Sequence, residues 1–203
     1  MKNQHTEEIR RQQSAFALEQ IRASMGATLE QFYRRLAHLF IDHPDALTVS
    51  VELVGERLTF TARPHPADAG KLIGAKGAMY HSFLTLMRAL AARHSIQIHF
   101  SLATEKGSPQ SGLPKFVPDP RWPRAKLEGV FNATCADLLE FPFKLDSFDS
   151  TDNKTHYRLA IDSNEVAVVS DAELKDALTK VWHACGRAHG RFLFLEALDR
   201  NIK

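Results

Sequence analysis

Asp68-Ala69-Gly70-Lys71-Leu72-Ile73-Gly74-Ala75-Lys76-Gly77 joins a short helical run, apolar at Leu72 and Ile73, to two glycines three positions apart. Glycine has no Cβ to hold a sugar-phosphate chain at a distance, and it permits a tight turn. A helix starting just beyond the turn points free N–H groups and partial positive charge outward. Lys76 adds a mobile full charge. Two glycines at this spacing are weak evidence alone, because they read equally well as the end of a helix. Their position between two helices gives them weight.

Upstream, Leu29, Phe32, Leu36 and Phe40 recur at spacings of three and four, as one face of a helix ending near His43-Pro44. Val49, Val51 and Leu53 alternate with polar residues, Gly55-Glu56 turns the chain, and Leu58, Phe60 and Ala62 alternate again. Two strands are predicted, the second stopped by Pro64 and Pro66. A short helix over 67–73 leads into the glycine turn. A longer helix follows, with Met79, Phe83, Leu86, Met87 and Leu90 on one face, and Ile96, Ile98 and Phe100 mark a last strand.

Together these residues resemble the central signature of KH domains, closest to the small bacterial single-KH proteins of type II topology. The resemblance covers 26–102 and includes His43-Pro44-Asp45 after the first helix. It implies a mixed α/β fold, an α+β two-layer sandwich in the order α–β–β–α–α–β. It also implies a groove beside the loop that holds about four single-stranded nucleotides. By resemblance, Gly74 and Gly77 form the backbone clamp and Ala75 and Lys76 are the loop tips facing phosphates. Lys71 reaches the bound strand from the short helix, and Ile73 lies at the groove floor or in the core. Ala78, Met79 and Ser82 line the groove, and Arg88 is a further electrostatic candidate. Two departures stand out: Ala75 and Ala78 occupy places that are usually polar or basic in relatives. That predicts weak binding with a shallow salt dependence.

Residues 103–120 hold two Gly and four Pro without periodicity, a linker stiffened at its C-terminal end. From 121 the first pattern returns. Leu127, Phe131, Cys135 and Leu138 form a helical face, Phe143 and Leu145 begin a strand, and Asp149 to Asn153 read as a turn. Tyr157, Leu159 and Ile161 alternate; a helix carries Leu174, Leu178, Val181, Trp182 and Cys185; Arg191 to Leu195 make a final strand. A constant offset of 96 lays the halves over each other, with Phe192 and Phe194 on Ile96 and Ile98. The second half is therefore read as a KH-like α–β–β–α–β domain over 121–203. At the loop position it has Ser170-Asp171-Ala172-Glu173, which lacks both glycines and suits a helix cap. Rigid support, self-association as a homodimer, or contact with a protein partner is the expected role. Residues 1–25 read as a helical arm.

Charge ranks the halves. Residues 26–102 carry eight Lys/Arg against six Asp/Glu, and residues 121–198 ten against twelve, so a polyanion suits the first better. Two cysteines without paired spacing and a polar N-terminus point to a reduced, cytoplasmic setting, and no apolar run approaches a membrane span. The ten histidines show no ligand spacing, so no metal or other cofactor is expected, and no catalytic constellation emerges. Trp122 reads as packed against a domain edge, with base stacking the alternative. The expected function is non-catalytic binding of single-stranded RNA, or of single-stranded DNA, as an RNA chaperone or ribosome-associated regulator. The alternative is a protein-interaction scaffold that kept the fold with little RNA affinity.

Overall fold

The computed structural model describes residues 20, 24–54, 57–94, 96–104, 122–139, 143–151, 154–161 and 171–199. The first helix, α1, runs over 24–37. Met25, Leu29, Phe32, Tyr33, Leu36 and Ala37 are all buried, the spacing that gives a helix one apolar face. It ends earlier than its sequence periodicity predicts. Residues 38–40 are a turn, and Leu39 and Phe40 still reach the core from it. Arg34 ties this corner down, its Nη1 donating to Leu47 O at 2.8 Å.

β1 (Thr48–Val54) pairs antiparallel with β2 (Arg57–Arg63), and β3 (Gln97–Leu102) lies parallel to β2 on its other side. A parallel return needs a crossover. It is supplied by α2 (Pro66–Ile73), the turn at 74–77 and α3 (Ala78–Ala92). The helices cover one sheet face, where Leu58, Phe60, Ala62, Ile98 and Phe100 point inward. Tyr33 is central there, its ring 5.2 Å from Phe60, 5.7 Å from Phe83 and 5.4 Å from Phe100.

The second half has α4 (Arg124–Leu138), β4 (Phe143–Ser150), β5 (Lys154–Ile161), α5 (Asp171–Ala188) and β6 (Phe192–Asp199). Its sheet order and strand directions match the first: β4 antiparallel to β5, β5 parallel to β6. The predicted apolar face of α4 is buried, as are Leu174, Leu178, Val181, Trp182 and Cys185 on α5. Both thiols are buried, and desolvation pushes each up to about 12. Two local expectations are corrected. Asp149 and Ser150 belong to β4, beside a bulge, so the turn is shorter than expected. The constant offset also fails at β6. Leu193 and Leu195 point inward there, whereas Phe192 is 60% exposed. A one-residue shift in a strand exchanges its two faces, so the Phe192–Ile96 equivalence does not survive.

The two halves are in direct contact. α3 packs against α5, and one continuous apolar cluster includes residues from both. Arg35 Nη1 donates to Asp137 Oδ2 at 2.6 Å, and Arg93 Nη1 donates to the Asp137 carbonyl. Among the described residues no helix is long and apolar enough to cross a membrane. The N-terminal arm up to 19, the 105–121 stretch of the linker and the Ser170 cap lie outside the described residues.

Candidate nucleic-acid interface

Pro66 opens α2, its fixed φ suited to a first helical position. The helix stops at Gly74, whose N–H donates to Gly70 O at 2.9 Å. Gly74 has φ 71° and ψ 177°, Lys76 φ 52° and ψ 28°, and Gly77 φ 77°. Three of four turn residues therefore sit at positive φ, a conformation that disfavours side chains with a Cβ. A Cβ on Gly74 would stand 2.7 Å from Met79 Cγ, whereas one on Gly77 meets nothing closer than 3.5 Å. Gly74 is thus required twice, by its dihedrals and by Met79 beneath it.

This turn projects Ala75 and Lys76 into solvent, with Ala78 exposed just after them. α3 begins without a side-chain cap and without an acidic residue in its first turn. Its sequence contains no Asp or Glu at all, while His81 and Arg88 are exposed along it. Among the described residues Lys76 and Arg88 form no ion pair. Arg88 lies ten residues past Ala78, about 15 Å along the helix, so only an extended ligand reaches both it and the loop.

Other expected contacts are placed differently. Met79 is buried under Gly74, and Ser82 is buried with its Oγ donating to Ala78 O at 2.9 Å. Ile73 is half-buried. The Lys71 ammonium is mostly covered and bonds Asp42 Oδ2 at 2.5 Å and Asp68 Oδ1 at 3.0 Å. Burial alone would lower its pKa, but those two carboxylates hold it above the ordinary lysine value.

Asp68 was not singled out by sequence reasoning, yet it organises this corner. Its side chain is 1% exposed. Oδ1 accepts from Asp42 N at 3.0 Å, and Oδ2 accepts from His43 N at 2.9 Å and from His43 Nδ1 at 3.1 Å. Burial pushes its carboxyl upward, but these donors and Lys71 outweigh that and hold it below the usual range. His65 lies beside His43, their rings 4.1 Å apart, and His65 Nδ1 accepts from Ala67 N at 3.3 Å. The available signal was faint: both histidines directly precede a proline that opens a helical turn.

In the second half, Asp171 opens α5 and Glu173 is exposed in its first turn. Trp122 is half-buried against the core, with Lys126 Nζ 3.7 Å above its ring. No protein-family model matches the chain, and no curated protein matches it.

Proposed function

We propose that the first half binds single-stranded RNA as a type II KH domain, with the 74–77 turn as its backbone clamp. The observation that carries this reading is the turn itself: positive φ at Gly74, Lys76 and Gly77, with Ala75 and Lys76 held in solvent at the uncapped start of α3. Phosphates fit there because two glycines allow close approach and the start of a helix carries partial positive charge. The order helix–strand–strand–helix–helix–strand agrees with that family's topology.

The clamp consists of Gly74, Ala75, Lys76 and Gly77, with Ala78 beside it. Lys71 serves it indirectly, by fixing α2 through Asp68 and Asp42. With one free lysine in the loop, binding is weak and its salt dependence shallow. The protein acts by holding RNA, and the second half acts as rigid support through the α3–α5 contact. A second reading is a protein-interaction module, favoured by one observation: the loop-flanking side chains at 75 and 78 are bare methyls.

The test is binding of fluorescent single-stranded RNA pools at low and moderate salt, wild type against Ala75→Asp/Lys76→Asp. Aspartate tolerates the left-handed conformation at 76 better than most residues, so this variant alters charge without breaking the turn. Loss of binding by the folded variant supports the clamp. Equal binding places RNA contacts elsewhere, and absence of binding by both leaves the protein-interaction reading. Lys76→Ala alone should flatten the salt dependence by about 0.7 in the log–log slope, the value for one phosphate contact on a single strand.

A further inference from the structure

We propose that His43, His65 and Asp68 form a binding site for a divalent transition-metal ion, such as Zn2+. Among the described residues these three bring ligand atoms within 4.8 Å of one another. They come from the turn after α1, the loop before α2 and the first turn of α2. His43 Nδ1 and Asp68 Oδ2 are 3.1 Å apart. Two ligands held about 2.0–2.2 Å from one ion at tetrahedral to square angles are separated by about 2.8–3.6 Å. The His43–Asp68 pair therefore already stands at coordination distance, with a ring nitrogen of His65 within 4.8 Å of both ligand atoms.

The surroundings suit an ion that enters from solvent. His43 is 49% exposed, whereas Asp68 is fixed from behind by the backbone N–H groups of Asp42 and His43. Lys71 contacts Oδ1, while Oδ2 accepts from His43 N and His43 Nδ1, so the ion would take the place of the Nδ1 proton between the two side chains. Asp42 lies on the other side of Lys71, so two carboxylates balance the ammonium and part of the ion's charge. An open cleft of about 260 Å³ adjoins His65, lined also by Arg63, Thr48 and Pro64. Two imidazoles with one carboxylate select Zn2+, Co2+ or Ni2+ over Mg2+ or Ca2+, which prefer all-oxygen sites. Once bound, the ion would staple the turn at 41–46 to the start of α2.

The test uses the full chain stripped with a chelator, then titrated with Zn2+ against a chromophoric competitor and with Co2+ read in the visible. The expected results are one ion per chain and a Co2+ spectrum distinct from the aqueous ion. His43→Ala and His65→Ala should each weaken binding about tenfold or more, with His99→Ala, exposed on β3, as the unchanged control. His43→Gln, which can still donate to Asp68, replaces His43→Ala should that variant fail to fold. Zn2+ should raise the thermal midpoint of the wild type only. Absence of saturable binding, an unchanged Co2+ spectrum, or binding indifferent to both histidine substitutions overturns the site.

Discussion

At Gly74 the backbone combines φ 71° with ψ 177°, a region open essentially to glycine alone, and the space where a Cβ would go is filled by Met79. Gly77 is left-handed too, but its surroundings are open. Gly74→Ala should therefore destabilise the fold by about 2–4 kcal/mol, strain and clash together, and Gly77→Ala by only about 1 kcal/mol. Chemical denaturation of both variants checks the ordering. A second residue-scale prediction concerns Asp68. Its folded carboxyl value is depressed, so its stabilisation is present above the unfolded value of about 3.9 and is lost as pH falls through the folded one. Lys71 is raised, so its contribution is present below about 10.4 and is lost only at still higher pH. Asp68→Asn should cost about 1–3 kcal/mol at pH 7, discounted for the partial exposure of Lys71, and the gap to wild type should close below pH 4. A gap independent of pH would mean that the carboxylate charge is immaterial.

Among the elements, α5 and β6 meet at Gly186, where an added Cβ would come 2.8 Å from Leu193 Cγ and 2.9 Å from Arg191 O. The obstacle is partly backbone and cannot swing away, so Gly186→Ala should cost about 1–3 kcal/mol, read from the thermal midpoint. Gly129 on α4 faces open space, and Gly129→Ala should stabilise by up to about 1 kcal/mol by helix propensity. This contrast was invisible in the sequence, since both glycines lie in helical patterns. The apolar faces of α1, α3, α4 and α5 were legible, because a buried stripe needs only residue spacing. The phase of β6 was not: Phe192-Leu193-Phe194-Leu195 is apolar at every position, so alternation gives no preference, and packing on α5 turns the leucines inward. The Asp68 corner escaped for another reason. Its partners, Asp42 and His43, lie 26 and 25 residues away, and no local period reports such a contact.

Taken whole, the molecule repeats one sheet topology twice and joins the copies through α3 and α5. The first copy presents the glycine turn; the second contributes a helix that covers what would otherwise be an apolar side of α3. Leu86, Met87 and Leu90 on α3 and Val181 and Trp182 on α5 belong to one continuous cluster, and Arg35 and Arg93 both engage Asp137 across the junction. A shared core of this kind couples the two units, because opening either exposes apolar surface on both. Native-state hydrogen exchange gives the decisive comparison. Core amides of α1 and of α5 should exchange with the same opening free energy and the same denaturant dependence. Residues 26–102 expressed alone should then be less stable than the same residues in the full chain, since α3 loses its cover. Asp137→Ala, which removes the carboxylate at Arg35 but leaves the backbone carbonyl at Arg93, should lower both opening energies together by about 0.5–1 kcal/mol. If it lowers only the second half, or if the isolated first half is as stable as in the full chain, the halves fold independently. The glycine turn would then owe nothing to the second copy.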